Sequence, residues 1–317
     1  MNKENFFQKL WIDTKKDFKR NWLLYIMILP ALAFYITFCY VPMYGILIAF
    51  KNFSMNAHDS FIKNVANSDW VGFKYFLDFI NGRWFWRVIS NTFTISFSTL
   101  IFGFPAPIIL ALLINEIRLK YFKKTVQTIT YLPHFISLVV VCGMIRDFTS
   151  DRGIISVLIA GLMGSEPITM LNNPSLFVPV YVISDIWQGV GWGSIIYLAA
   201  LTGIDPQLYE AARIDGAGRL RQTLNVTLPG ILPTISIMLI LRMGNILNVG
   251  YEKIILLYNQ LTWDVGEVIS TFTYKRGLID RDYSFSAAVG LFNAAINLVF
   301  LLAANKISRK VNDVGLW

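Results

Sequence analysis

Six long apolar segments constrain this chain more than any other feature of its sequence. Each has about 20 predominantly apolar residues, the length that a helix needs to cross the hydrocarbon core of a bilayer. The segments are Leu23–Phe50, Val88–Ile114, Val126–Ile145, Ser175–Leu201, Leu228–Val249 and Phe285–Ala304. We therefore expect an all-α membrane protein with six transmembrane helices. The first segment is too long for a signal-peptide core, so we expect it to be retained.

The composition agrees with a membrane protein and argues against several kinds of active site. Only 15% of the residues are charged, whereas soluble domains have about a quarter. The two cysteines, Cys39 and Cys142, lie in apolar runs, and the two histidines, His58 and His134, are far apart. We therefore expect no catalytic cluster and no metal site.

The distribution of Lys and Arg predicts the orientation, because cytoplasmic loops are enriched in both. With the N-terminus inside, the inner segments contain 16 basic and eight acidic residues, and the outer segments contain 11 of each. Two charges, Asp185 and Arg242, remain inside the spans. The net charge of +8 thus lies on one face of the membrane, which indicates topology rather than nucleic-acid binding. Both termini are predicted to be cytoplasmic.

Three regions follow from this topology. Residues 1–22 are short, basic and rich in aromatic residues, and they predict an interfacial helix on the inner leaflet. A basic tail that only determines topology is the alternative. Residues 23–305 form the six-helix membrane domain, with a functional loop at about 202–228, and residues 306–317 form a cytoplasmic tail.

The loop at 202–228 carries the pattern of a short capped helix. Asp205 is a typical N-cap, and Pro206 suits the first helical position. Gly216 suits the position just after a helix ends. The predicted helix, Pro206 to Asp215, is too short to be stable alone, so it needs a partner. Leu208, Ala211 and Ala212 are expected to share a face, and two alanines would let another backbone approach closely.

This loop resembles the EAA loop of ATP-binding-cassette importer permeases. That motif is Glu-Ala-Ala, three residues, Gly, nine residues, Ile, one residue and Leu-Pro. Here Glu210-Ala211-Ala212, Gly216 and Leu228-Pro229 match, and Val226 replaces the Ile. The resemblance implies that the loop contacts an ATPase through Leu208, Tyr209, Glu210, Ala211, Ala212, Arg213, Asp215 and Gly216.

Other motifs are similar to the carbohydrate-uptake branch of these permeases. They include Asp185-Ile-Trp-Gln188, Tyr40-Val-Pro-Met-Tyr-Gly45 and the closing Gly315-Leu-Trp317. The last two look like the oligosaccharide permeases of the aldouronate and LplB types. The resemblance implies the type I importer permease fold in a bacterial plasma membrane.

The resemblance also implies partners. They are a second homologous permease in a heterodimer, two ATPase subunits and an extracytoplasmic sugar-binding lipoprotein, besides membrane lipid. This chain lacks the Gly-x4-Gly-Lys-Ser/Thr phosphate loop. We therefore expect it to be non-catalytic and to bind no cofactor, with ATP and Mg²⁺ held by the ATPase.

Charged and amide side chains within the spans are candidates for the substrate path. Intramembrane charges usually face a water-filled cavity or the protein interior, and amides and aromatic rings suit sugars. Bracing between helices is an equally open alternative for the two charges, and ordinary packing for the others. The candidates are Asp185, Gln188, Trp192, Arg242, Asn245 and Asn293, with Asn297 one turn beyond Asn293.

Two other functions remain open at this stage. A permease of the same fold could carry a non-sugar solute. An ion-driven secondary transporter would be self-sufficient and often contains internal repeats, and we find no clear repeat in this sequence.

Overall fold

The computed structural model describes residues 3–56 and 58–317, with side chains from Asp17 onward. It divides into two compact units, Met1–Phe73 and Lys74–Trp317. Most residues in both are helical. The prediction of an interfacial helix at residues 1–22 concerns mostly residues before Asp17, whose side chains lie outside the described part of the structure.

The first unit contains a long apolar helical segment and a small two-stranded sheet. The strands are antiparallel, with Lys51 opposite Trp70. The long segment bends at Asn21, whose φ of −119° and ψ of 24° are not helical. The elements are α1 (Lys3–Tyr35), a π-helical turn (Ile36–Tyr40), α2 (Val41–Met43), a 3-10 helix (Tyr44–Phe50), β1 (Lys51–Asn52), α3 (Phe61–Asn67) and β2 (Asp69–Trp70).

The second unit holds the remaining helices. They are α4 (Lys74–Ile80), α5 (Phe85–Ser98), α6 (Pro105–Glu116), α7 (Lys120–Tyr131), α8 (Leu138–Phe148), α9 (Ile154–Met163), α10 (Pro174–Thr202), α11 (Pro206–Ile214), α12 (Arg219–Gln222), α13 (Leu228–Met243), α14 (Tyr251–Leu257), α15 (Trp263–Gly266), α16 (Ile269–Tyr274) and α17 (Tyr283–Asn312). Short 3-10 helices occupy Leu132–Phe135 and Met170–Asn172, and π-helical turns occupy Thr99–Gly103, Thr223–Thr227 and Lys275–Ile279.

Within the described part of the chain, four helical segments are long and apolar enough to cross a membrane. They are Asp17–Phe50, Phe85–Glu116, Arg219–Met243 and Tyr283–Asn312. A bent pair of helices raises the number to five if the pair is one span. The prediction of six spans therefore has direct support for four or five.

The third predicted segment, Val126–Ile145, is not one continuous helix. The chain bends by 101° between the helical stretches Lys120–Phe135 and Leu138–Phe148. Pro133 lies in the 3-10 turn Leu132–Phe135, because proline cannot continue the α-helical hydrogen-bond ladder. Ser137 then caps the N-terminus of α8 by accepting a hydrogen bond from the Val140 amide.

The fourth predicted segment corresponds to α10, which is less apolar than the other candidate spans. Its 29 residues extend about 43 Å at 1.5 Å per residue, so length is no obstacle. Asp185, Gln188 and several glycines lower its hydropathy. Helix α10 packs against α5, α6, α7, α13 and α15, and a helix that faces other helices needs less apolar surface than one that faces lipid.

Prolines coincide with local changes of helix type. The π-helical turns at Thr99–Gly103 and Thr223–Thr227 each end two residues before a proline, Pro105 and Pro229 respectively. Proline lacks an amide proton, and a shift in hydrogen-bond register re-satisfies nearby carbonyl groups. The two broken helices thus stay continuous across the break.

Two hydrophobic clusters lie on opposite halves of α10. Tyr181 packs in one cluster with Val141 of α8 and Ile254 of α14. Tyr197 packs in the other with Ala111 of α6 and Ile231 of α13. The segment of α10 between them holds the charged cavity described below.

The contact between α10 and α7 depends on a glycine. A Cβ atom at Gly191 would overlap the Thr130 carbonyl group. That obstacle is backbone, which cannot rotate away as a side chain can. Gly191 therefore determines how closely the two helices approach.

We predict that Gly191→Ala lowers the thermal unfolding midpoint of the purified protein in detergent. Overpacking typically costs about 1–3 kcal/mol. Gly189→Ala is the matched control, because a Cβ there meets no atom within 4 Å. Equal midpoints for the two variants would contradict this description of the α7–α10 contact.

Candidate functional site

Helix α11 begins and ends where the capping residues predict, with a length of nine residues rather than ten. The Asp205 carboxylate accepts a hydrogen bond of 2.9 Å from the Gln207 amide. At the other end Gly216 has φ +74°. The Ala217 amide donates to the Ala212 carbonyl at 2.8 Å, and the Gly216 amide donates to the Arg213 carbonyl at 3.0 Å. These two bonds form a Schellman motif, whose left-handed residue favours glycine.

One face of α11 is anchored to the start of the following membrane helix. The Tyr209 hydroxyl lies 3.0 Å from the Thr227 hydroxyl, and Tyr209 and Ala212 are half-buried. Just before α11, the Ile204 side chain packs directly on Gly230. A Cβ atom at position 230 would crowd the Ile204 side chain. The loop is thus tied to the start of the membrane helix both just before α11 and within its first half.

Further contacts extend this anchorage. The Gln222 side-chain amide donates to the Ala217 carbonyl at 2.7 Å. The Arg219 guanidinium lies 3.8 Å from the Glu116 carboxylate at the end of α6. Both groups of this ion pair are largely exposed, so it contributes about 0–1 kcal/mol. The elbow formed by α11 and α12 therefore depends mainly on Tyr209, Ile204 and helix continuity.

The opposite face of α11 is exposed and differs from the expected one. It presents Glu210, Ala211 and Ile214, with Ile214 87% exposed. Ala212 was expected beside Ala211 but turns toward the protein, and Leu208 lies at the edge, 52% exposed. Ile214 was not among the predicted contact residues. Ile214 follows Ala211 by three residues and Glu210 by four, and this spacing indicates that the three share a helix face.

The remaining predicted contact residues follow the same arrangement. Arg213 and Asp215 are exposed at the C-terminal end of α11, and Gly216 is the exposed residue of the turn. An exposed face containing a large apolar side chain, on a helix too short to be stable alone, fits a protein partner.

A second feature is a cavity of about 210 Å³ along α10. Asp185, Gly189, Gly193 and Tyr197 of α10 line it at intervals of four residues, so they form one stripe. Both predicted intramembrane charges, Asp185 and Arg242, line it. The full lining is Thr99, Gly103, Phe104, Pro107, Asp185, Ile186, Gly189, Val190, Gly193, Tyr197, Met238 and Arg242.

Asp185 pairs with a lysine that sequence reasoning did not identify. The Lys253 ammonium lies 3.2 Å from the Asp185 carboxylate and 4.8 Å from the centre of the Tyr181 ring. The Lys253 side chain is only 5% exposed. The charge count had placed Lys253 in an outer loop. The apolar run Ile254–Leu257 that follows it was the available signal, because α14 buries that run in the cluster around Tyr181.

Gln188 and Trp192 do not line the cavity. They lie on α10 beside the stripe of lining residues, on a face that turns away from the cavity. The Trp192 ring stacks on His134, with centroids 4.6 Å apart and planes within 3°, and it meets Phe135 edge-on at 5.7 Å. Trp192 is nonetheless 48% exposed. Its observed contacts are those of helix packing.

The predicted asparagines join in an amide network between α17 and the segment after α13. The side-chain oxygen of Asn248 accepts hydrogen bonds from the side-chain amides of Asn293 and Asn297 at 2.9 and 3.1 Å. The Asn248 amide donates to Asn245 at 3.1 Å, and Asn297 accepts from the Leu247 amide. Among the described residues of this network, only the side-chain oxygen of Asn293 is buried without a hydrogen-bond partner.

A third feature is a pocket of about 180 Å³ beside Trp84 and Trp263. The buried Glu267 carboxylate there accepts hydrogen bonds from the Trp263 indole and from Lys275, the latter at 2.8 Å. Burial acts to lower the pKa of Lys275, but the hydrogen bonds to Glu267 and Tyr258 outweigh it, so the net shift of that pKa is upward. Arg87 pairs with Asp264 in the same region, so these charges are internally matched.

Comparison with known families gives one match that covers most of the second unit. The profile of the family described as "Binding-protein-dependent transport system inner membrane component" matches residues 103–313. The matched region includes α10, α11 and every residue that lines the charged cavity except Thr99.

Individual proteins are similar over nearly the whole chain. Protein LplB of Bacillus subtilis is 42% identical over 300 residues, which cover 94% of this chain and 92% of LplB. The polygalacturonan/rhamnogalacturonan transport system permease protein YteP of the same organism is 43% identical over 295 residues, covering 93% and 90%.

Solved structures of a bacterial transporter share the fold. A chain of a bacterial ABC transporter involved in the import of the acidic polysaccharide alginate is 43% identical, with a TM-score of 0.84. The alignment covers 96% of this chain and 99% of that one. A chain of an alginate transporter in complex with an alginate pentasaccharide-bound periplasmic protein is also 43% identical, with a TM-score of 0.85 and coverage of 95% and 99%.

We predict that Asp185→Asn destabilises the protein and that adding Lys253→Met restores most of the loss. The single change leaves a buried ammonium without its carboxylate, which costs about 3–5 kcal/mol in buried pairs. We expect the lower end, because Asp185 is 40% exposed. Thermal unfolding of both variants in detergent tests this. A double variant no more stable than the single one would contradict it.

Proposed function

The chain belongs to the family of inner-membrane components of binding-protein-dependent transport systems, and from that premise we propose that it forms half of the import pathway for an acidic oligosaccharide and couples to a separate ATPase through α11. The observation that carries the coupling role is the exposed face of α11 opposite its anchorage on α13. The Glu-Ala-Ala motif lies on that helix.

The proposed substrate rests on relatives rather than on a bound ligand. YteP is named for polygalacturonan and rhamnogalacturonan, and the similar solved chains belong to transporters of alginate. These relatives carry sugar polymers that contain carboxylates. An oligosaccharide with uronate residues is therefore the substrate class that we infer for this chain.

We further infer a complete transporter around this subunit. It would contain a second, similar permease, two ATPase subunits that bind ATP and Mg²⁺, and an extracytoplasmic sugar-binding lipoprotein. One similar chain was solved in complex with a substrate-loaded periplasmic protein, which supports the last partner. No nucleic acid is part of this proposal.

The proposed topology has six crossings with both termini in the cytoplasm of a bacterium. In addition to the four apolar segments, the crossings are the bent pair α7–α8 and the central helix α10. The excess of basic residues supports this orientation, and it places α11 on the side where ATP is available.

We predict that Ile214→Asn uncouples transport from ATP hydrolysis. It removes the most exposed apolar group of α11, and in a reconstituted complex we expect ATP-driven uptake of trigalacturonate to fall about tenfold or more. Leu162→Asn is the matched control, because Leu162 is 88% exposed on α9, far along the chain from the elbow. We expect its uptake to stay within about twofold of the native level.

Three outcomes would change this proposal. Full uptake and full substrate-stimulated hydrolysis in Ile214→Asn would contradict the role of α11. Uptake by this chain alone, without ATP, would favour an ion-driven secondary transporter. Uptake of a peptide or phosphate in preference to any saccharide would favour a permease for a non-sugar solute.

A further inference from the structure

The cavity on α10, taken together with the side chain that pairs with its carboxylate, has one more positive group than negative groups. Its lining includes one carboxylate, Asp185, and one guanidinium, Arg242. These two charges would cancel if they paired with each other. The structure pairs them differently.

The Asp185 carboxylate is already matched by Lys253 at 3.2 Å. Because the Lys253 ammonium is 5% exposed and also lies over the Tyr181 ring, it has little freedom to move to another partner. Removal of either group would leave the other uncompensated in an apolar setting. The pair therefore acts as a neutral brace between α10 and α14.

Arg242 has no such partner. No carboxylate of the described chain lies within 4.0 Å of its guanidinium, and the residue is exposed to the cavity. It lies in the last turn of α13, where the helix dipole favours a cation. The cavity, with its brace, thus carries one uncompensated positive charge.

We propose that Arg242 is the residue that selects anionic saccharides in this cavity, and that Asp185 and Lys253 do not contact the substrate carboxylate. A guanidinium presents a planar set of donors that matches a carboxylate in two parallel hydrogen bonds. A neutral sugar would leave this charge unpaired, whereas a uronate residue would pair with it. The inference rests on the proposed function, since it assigns a role within that pathway.

The test uses the complete reconstituted transporter, with its partner permease, ATPases and binding protein, in proteoliposomes. The probe is trigalacturonate, and its methyl ester is the uncharged competitor. We expect Arg242→Gln to lower trigalacturonate uptake about tenfold and to make the methyl ester an equally good competitor. We expect Arg242→Lys, which keeps the charge, to retain uptake within about threefold.

The double variant Asp185→Asn/Lys253→Met is the matched control, because it removes two opposite charges and leaves the excess charge unchanged. We expect its preference for the acid over the ester to equal that of the native complex. Co-purification of all subunits checks assembly of each variant.

The outcomes distinguish failure of the proposed function from failure of the role assigned to Arg242. Absence of trigalacturonate uptake by the native complex would overturn the proposed function and, with it, this inference. With native uptake present, an unchanged acid preference in Arg242→Gln would overturn the role of Arg242 alone. Loss of the preference in the double variant would overturn the assignment of Asp185 and Lys253 as a neutral brace.

Discussion

The pair between Asp185 and Lys253 is the interaction on which the centre of this molecule depends. A carboxylate in the middle of a predominantly apolar helix that packs among other helices is costly unless it is paired or solvated. Lys253 supplies the pairing, and the apolar residues of α14 lie in the same cluster as Tyr181. One ion pair thus links a long helix to a short helix that follows it far along the chain.

The surroundings of α10 follow from its polarity. A helix with Asp185, Gln188 and several glycines is better accommodated among other helices than in lipid, and α10 packs against five of them. Gly191 lets α7 approach, and the glycines at positions 189 and 193 leave room for the cavity. The residues that make α10 a poor isolated span therefore make it a good central helix.

Helix α13 connects the two candidate sites. Thr227, immediately before it, and Gly230 in its first turn hold the α11 region through contacts with Tyr209 and Ile204. Its last turn carries Arg242 at the cavity. In the function that we propose, a displacement of α11 by an ATPase would be carried along α13 to the residue that meets the substrate.

Sequence reasoning located local features well and tertiary pairings poorly. The limits of α11 follow from Asp205, Pro206 and Gly216, because caps and left-handed turns are short-range effects. The bend after Pro133 is a local effect of proline that a hydropathy average does not register. The partner of Asp185 depends on a contact between distant segments, which hydropathy does not encode. Charge counting treats every loop residue as solvated, so it did not indicate that Lys253 is buried beside Asp185.

The sequence pattern also did not determine which face of α11 is exposed. Ala211 and Ala212 are adjacent in sequence, and only the anchorage of Tyr209 determines which of them turns to the protein. The predicted contacts of Trp192 and Asn293 with substrate were likewise open, and the structure places Trp192 against His134 and Asn293 against Asn248. Their place in the substrate path stays a prediction.

In the proposed function, the exposed face of α11 docks on a separate ATPase. The most direct measurement is photo-crosslinking from a benzoylphenylalanine placed at position 211 in the assembled transporter, with position 162 as the reference. We expect illumination to join position 211, and not position 162, to the ATPase subunit. Absence of an ATPase adduct from position 211 in an active complex would contradict it.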